Sequence, residues 1–223
     1  MKPNLYTVPT ITQDYPEWHH GRQEYGLWYI EITDPEVVAN LKNIRESFRD
    51  LLLEPNQRQF HITLFICGFK MNDSVVLYDD DFSAVQFRQQ LQQLQRLSPP
   101  VFSLKTGLLN SFETALFIDI EDSGKWLSRL RQTLNLNCPE IASLEYYPHI
   151  TLGLYRDAFP AKQVLDRIEK FKVDRFNLNI SKLIFGTYQA KVLQGPLYPH
   201  TTFKLGHICY SSAQPPRSPQ LTQ

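Results

Sequence analysis

Cysteine is scarce in this chain: there are three in 223 residues, Cys67, Cys138 and Cys209. They are too few and too scattered for a disulfide framework, and no Cys-x-x-Cys pair signals zinc, so reduced thiols in a cytoplasmic protein are expected. Also missing are a glycine-rich phosphate loop, a nucleophile elbow and a spaced set of carboxylate metal ligands. No uncharged apolar run approaches the roughly 18 residues of a membrane span, and residues 1–18 alternate prolines with polar side chains where an export signal would need an apolar stretch. Neither membrane insertion nor export is expected. An excess of charge of either sign is absent too. Lys plus Arg and Asp plus Glu each total 23, so no global field draws the molecule to a polyanion or an anionic lipid surface. The basic residues are dispersed, with nothing denser than local pairs such as Arg129 and Arg131, and no extended nucleic-acid track is predicted.

What is present is 42% hydrophobic and 13% aromatic residues, enough apolar surface to offset the entropy of ordering a packed core. Residues 25–32 (YGLWYIEI) read as a strand. Asp34 as N-cap and Pro35 at the first helical position then open an amphipathic helix carrying Val37, Leu41, Ile44, Phe48 and Leu51. Residues 60–68 (FHITLFICG) form the next strand. The polar, acidic stretch 70–81 leads to a helix with Ala84, Phe87, Leu91 and Leu94 on one stripe, with Asp79, Asp80 and Asp81 placed to complement its N-terminal dipole. After Pro99 and Pro100, runs 101–108 and 114–120 suggest a hairpin. Ser123 is expected to cap a helix with Trp126, Leu127, Leu130 and Leu134, and residues 149–155 (HITLGLY) echo the earlier strand. A helix over about 161–171, a strand-like run 176–188 and a last apolar piece around 203–210 complete the order.

The predicted order repeats strand, helix, strand, helix at a spacing of 88 residues between the echoing strands. That period is too long for a solenoid, and each half is too short to hide both faces of its own sheet. The expectation is one α+β unit of two pseudo-symmetric lobes, each an antiparallel sheet with helices on its outer face, enclosing a central groove. In domain terms this is an extension over 1–24, a single bilobal domain over 25–210 and a disordered tail over 211–223. A monomer is expected.

The echo is the tetrapeptide His-Ile-Thr-Leu, at His61 to Leu64 and again at His149 to Leu152. A strand's period of two puts His and Thr on one face while Ile and Leu anchor the other. Two such strands side by side gather two imidazoles and two hydroxyls in one groove. Paired histidines can act as base and acid on opposite sides of a reacting centre, and hydroxyls can hold the oxyanion between them. With six His and thirteen Thr in the chain, roughly 0.35 His-x-Thr triplets are expected by accident. Three occur. The third, His200-Thr201-Thr202, sits in a Gly- and Pro-containing context without the Ile and Leu anchors, and so is the weaker candidate.

With both motifs complete, the chain resembles the two-histidine (2H) phosphoesterases, a superfamily that includes proteins called RNA 2′,5′ ligases and cyclic phosphodiesterases, over roughly residues 25–190. The resemblance implies that His61 and His149 are the acid–base pair, that Thr63 and Thr151 bind phosphate, and that neither a metal nor a cofactor is required. It implies a phosphodiesterase acting on a cyclic phosphate or a 2′-linked phosphodiester of a small nucleotide or a short RNA end. The alternative is a non-catalytic nucleotide or RNA-end binding module that keeps the same groove. Around this core, Phe65 and Tyr155 are candidates to wall the groove and stack a base, and Arg156 to reach a phosphate. A buried packing role competes for each aromatic, and a solvated strand end for the arginine. Cys67 falls on the His61 and Thr63 face if strict alternation holds, as a small packed thiol. A metal site at His19 and His20 beside Glu17 and Glu24 lacks any feature that fixes ligand geometry.

Overall fold

The computed structural model describes residues 5–71, 76–141, 143 and 145–206. The tail 211–223, the end of the apolar piece at 207–210 and part of the 70–81 stretch lie outside the described residues. The helices form where their caps are. Asp34 accepts from the N–H groups of Glu36 and Val37 to start α2 (Pro35–Ser47). Ser83 and Gln86 make a reciprocal capping box at α3 (Ala84–Leu97). In α4 (Trp126–Leu134) the cap is Asp122, whose carboxylate takes the N–H groups of Trp126 and Leu127, and not Ser123: an ionised acceptor at the helix's positive end outcompetes a hydroxyl. A short α1 (Pro16–His19) precedes the first strand, and α5 (Ala161–Lys170) follows the second His-Ile-Thr-Leu strand.

The strands are β1 (Glu24–Glu31), β2 (His61–Lys70), β3 (Asp81–Phe82), β4 (Phe102–Ser111), β5 (Ala115–Glu121), β6 (His149–Leu154), β7 (Asn177–Ile180), β8 (Lys182–Gln189) and β9 (Tyr198–Lys204). They join in one sheet in the order β7-β4-β5-β6-β2-β1-β8-β9, antiparallel throughout except where β3 lies parallel to β2. The architecture is therefore α+β with a curled sheet of two matching four-stranded lobes. The run 176–188 is two strands of different lobes that meet at Ser181, and the weaker His200 triplet lies in strand β9 at the sheet edge rather than in a turn. The lobes are not contiguous halves of the chain: β8 and β9, from the C-terminal region, complete the lobe that β1 and β2 begin.

The seam between lobes is narrow, with Ile62 of β2 paired to Ile150 of β6. Helices reinforce it by crossing over. The helix after β1, α2, packs on β6, while the helix after β5, α4, packs on β2. One main core fills the helix side of the sheet, from Trp28 and Ile62 to Ile150 and Leu183, and a small cluster of Leu27, Tyr29, Ile184 and Leu197 packs on the opposite face. Asp81 is buried. It accepts from the N–H groups of Leu77 and Tyr78 and pairs with Arg22 at 2.6 Å, so its work is to fix the turn into β3 and not to complement the dipole of α3.

Residues 5–23 run as a strap over the second lobe toward the first. Thr7, Val8 and Thr10 donate their N–H groups to the carbonyls of Phe159, Glu113 and Tyr155. At the far end, Trp18 packs against Tyr25 and Phe69, and His19 is buried with Nε2 bonded to Asp14 and Nδ1 accepting from Gly21 N–H. His20 stacks on Tyr78. The two neighbouring histidines are thus engaged in packing.

Candidate active site

Antiparallel pairing of Ile62 with Ile150 sets His61 beside Thr151 and Thr63 beside His149 in the register, all four pointing away from the core that Ile62, Leu64, Ile150 and Leu152 anchor. The structure thus brings together the four residues of the two motifs. Each imidazole is held the same way. His61 Nδ1 lies 2.7 Å from the Gln59 carbonyl oxygen and His149 Nδ1 lies 2.7 Å from that of Tyr147. A carbonyl only accepts, so Nδ1 carries the proton in both rings and Nε2 is left with its lone pair toward the groove. Aromatic edges brace the rings: Tyr29 against His61, and Phe112 and Phe117 against His149. Among the described residues neither Thr63 Oγ1 nor Thr151 Oγ1 has a hydrogen-bond partner, which leaves two hydroxyls for a ligand.

Burial penalises the charged form of both rings. His61 is pushed down to about 4, against the opposing pull of the Gln59 carbonyl, with the Arg58 and His149 charges adding to the fall. His149 is lowered by burial, while the Tyr147 carbonyl and the Asp119 carboxylate resist the shift. At neutral pH His61 is therefore a neutral acceptor, and His149 has an acid next to it that favours its protonated form.

Both strands carry a bulge just past the threonine. Tyr29 pairs with Thr63 but Trp28 pairs with Phe65, which leaves Leu64 as the extra residue; Phe117 pairs with Thr151 but Leu116 pairs with Gly153, which leaves Leu152 extra. The extra residue reverses the alternation beyond it. This corrects three expectations. Phe65 and Cys67 turn into the main core instead of lining the groove, Cys67 with its thiol 3.7 Å from Gln90 Oε1. Tyr155 is fully buried with its hydroxyl 2.7 Å from Ser111 Oγ. Arg156 fares no better as a phosphate contact: it follows the strand end, is exposed, and does not line the groove cavity. His200 is bonded to Thr187 and sits near Glu24 on the helix side of the sheet, beside a separate cavity with Lys70 and Phe185.

The bulges also explain two arginines. A bulged residue's carbonyl falls out of the ladder and needs a donor. Arg131 of α4 donates to Leu64 O at 2.6 Å, and Arg45 of α2 donates to Leu152 O at 2.7 Å. Each helix reaches across the seam to pin the other lobe's bulge. Each guanidinium also stacks on an aromatic ring, Tyr146 for Arg131 and Phe60 for Arg45.

A cavity of about 420 Å³ opens from His61, Thr63 and Thr151 toward Arg45 and Arg58, with strap residues Tyr15 and Trp18 in its wall. Sequence reasoning missed Arg45, Arg58 and the strap. A signal existed for Arg58, three residues before the first motif histidine, where the second motif has Tyr146. Among the described residues no cluster of three or more His, Cys, Asp or Glu side chains has the arrangement to hold a metal ion, and no helix is long and apolar enough to cross a membrane.

A profile of the 2′-5′ RNA ligase superfamily matches residues 33–203. Among curated protein sequences none matches. Solved structures do. Escherichia coli LigT in complex with 3′-AMP superposes with a TM-score of 0.59 at 15% identity, over 84% of this chain and 100% of that one. TT0787 of Thermus thermophilus gives 0.52 at 16%, over 81% and 97%. A structure described as a phosphoesterase gives 0.53 at 13%, over 83% and 99%. At these identities the structural likeness speaks for the fold. The strap precedes the segment that the profile matches.

Proposed function

The chain belongs to the 2′-5′ RNA ligase superfamily, membership that supports a phosphoesterase-type function, and from that premise we propose that it is a phosphodiesterase hydrolysing a cyclic phosphate or a 2′-linked phosphodiester of a nucleotide or RNA end. The observation that carries the reading is the matched tether of the two histidines, which leaves both Nε2 atoms facing one groove between two unpartnered hydroxyls. In the proposed reaction His61, neutral at pH 7, takes a proton from the attacking water as its oxygen bonds to phosphorus. His149 enters protonated and gives its proton to the ribose oxygen as the P–O bond breaks. Thr63 and Thr151 donate to the non-bridging oxygens, and the imidazolium supplies the positive charge that the developing dianion needs. The large depression of His61 supports its role as base; His149 is lowered by burial too, but there the Asp119 carboxylate and the Tyr147 carbonyl oppose the fall, which makes it the more readily protonated of the two. Residues of this chain thus account for base, acid and charge stabilisation, and turnover is expected to survive chelation.

The cavity's volume and the strap along its flank support a substrate of about one to three nucleotides in place of a long strand. The test is a turnover screen of the full chain against 2′,3′-cyclic nucleotides, 2′,5′-linked oligonucleotides and cyclic dinucleotides, each with EDTA. Hydrolysis of at least one class, abolished in both His61→Ala and His149→Ala, is the expected result. Tight binding of these compounds with no turnover of any would overturn the enzymatic reading in favour of a binding module.

A further inference from the structure

We infer that the His61 end of the groove holds a second anion subsite, built on Arg58 with Arg45 and Lys191 alongside, that takes a phosphate group other than the one that reacts. The inference rests on the phosphoesterase reading, which supplies the reacting phosphate at the His and Thr cluster.

Two groups of arginines contrast. Arg22, Arg49, Arg131, Arg167 and Arg175 each form an ion pair with a carboxylate. Arg58 and Arg45 pair with no carboxylate among the described residues. Each is instead clamped by two uncharged contacts. Arg58 Nε donates to Gly195 O at 2.8 Å with its guanidinium carbon 4.2 Å from the Tyr188 ring centre. Arg45 Nε donates to Leu152 O with its guanidinium carbon 4.2 Å from the Phe60 ring centre. In both, the Nε bond and the stacked ring fix the plane, while the terminal nitrogens bond no described residue. A guanidinium stays charged in a protein, and burial lowers both from the usual value, opposed for Arg45 only at longer range by Glu54 and for Arg58 by Tyr188. Arg22 and Arg167, held by their acids, move the other way.

The cavity that holds these two also has Lys191 in its wall and no Asp or Glu among its lining residues; Asp14, which approaches Lys191 at 3.6 Å, lies outside it. In a chain with zero net charge, folding has gathered three cations in one pocket. The imidazolium of the acid histidine already balances a phosphodiester monoanion at the Thr pair. A second phosphate is what the remaining charge fits, and two preset guanidinium edges match its oxygens better than mobile lysines would. A substrate with a terminal phosphate one nucleoside away from the reacting one is the chemical class implied.

The experiment compares the equilibrium binding of adenosine 3′-monophosphate and adenosine 3′,5′-bisphosphate to the full chain by calorimetry. Charge-assisted hydrogen bonds to the extra phosphate predict about 10- to 100-fold tighter binding of the bisphosphate. Arg58→Gln should collapse that ratio while the monophosphate keeps most of its affinity, and Arg58→Lys, which keeps charge but loses the fork, should restore part of it. Equal affinities in the wild-type chain overturn the subsite without need of any variant. A preference that survives both Arg58→Gln and Lys191→Gln overturns the residues assigned to it. Binding is read apart from turnover, so a bisphosphate preference without hydrolysis of any diester would refute the phosphoesterase reading and leave the subsite standing.

Discussion

The two ends of the groove start from the same plan and differ in charge. Each has a histidine tied by Nδ1 to the carbonyl two residues earlier, a threonine, a bulge, and an arginine from across the seam that pins the bulge. Each also has an acid opposite its histidine in the register, Glu31 for His61 and Asp119 for His149. At the His149 end the pinning Arg131 is neutralised by Glu140, and Asp119 acts on the imidazole. At the His61 end the pinning Arg45 forms no ion pair among the described residues, Glu54 acting on it only at longer range, Arg58 stands where the other end has Tyr146, and the Arg58 charge lowers the imidazole further. The backbone symmetry gives two matched imidazoles, and the charges at positions the symmetry leaves free make them unequal.

Alanine at either histidine tests the shared part of the plan. His61→Ala and His149→Ala should each reduce turnover by about 10²–10⁴-fold, with the double variant losing far less than the product; a product-sized loss would mean that the two act independently. The pinning arginines test the unequal part. Arg131→Met strips the ion-pair partner from Glu140, whose side chain is only 7% exposed and keeps just the Ile66 N–H bond among the described residues, and should cost about 3–5 kcal/mol in urea denaturation. Arg45→Met leaves Leu152 O with the longer bond from Asn56 Nδ2 at 3.3 Å and should cost about 0.5–1.5 kcal/mol. Equal losses would show that the bulge bond, not the ion pair, dominates.

A smaller effect is expected in pH. Asp119 raises the His149 value, so Asp119→Asn lowers it, the proton is lost sooner as pH rises, and the basic limb of kcat/KM should move down by about one unit or less. Glu31→Gln should leave that limb in place. His61 is depressed in the folded state, so between its ordinary value and about 4 the unfolded chain binds a proton that the folded chain does not. Stability should fall as pH drops through that window and change little above it, with a shallower fall in His61→Gln measured by thermal melts across pH. The least effect belongs to His200→Ala. With that side chain on the far face of the sheet, most turnover should remain, and its loss would show that the third triplet had been misread.

The square of two histidines and two threonines was legible because duplication and a two-residue period are sequence properties: His61, Thr63, His149 and Thr151 share a face whatever surrounds them. The helix starts at Asp34 and Ser83 were legible for the same local reason. Past each threonine the reading failed, because a bulge inserts one residue and nothing in Leu64 or Leu152 announces it. Phe65, Cys67 and Tyr155 were therefore placed on the wrong side. Arg45 was out of reach in another way, since its place depends on a helix crossing to the opposite lobe. The balanced net charge concealed the cationic pocket, because composition sums over all surfaces and a fold does not distribute charge evenly.

The unequal connectivity of the lobes bears on the order in which the molecule can assemble. The lobe built from β4, β5, β6 and β7 is complete once residue 180 has been made, and α2, which packs on β6, is already available by then. The lobe begun by β1 and β2 stays open until β8 and β9 arrive, at residue 204. On a ribosome, where a chain emerges from its N-terminus, the lobe begun second is the first that can close, and the earliest strands wait longest for their neighbours. Until β8 is made, at residue 189, the outer edge of β1 has unpaired backbone groups, and until β9 is made the edge of β8 has them in turn, which makes the interval before residue 204 the vulnerable moment of synthesis for misassociation of nascent chains.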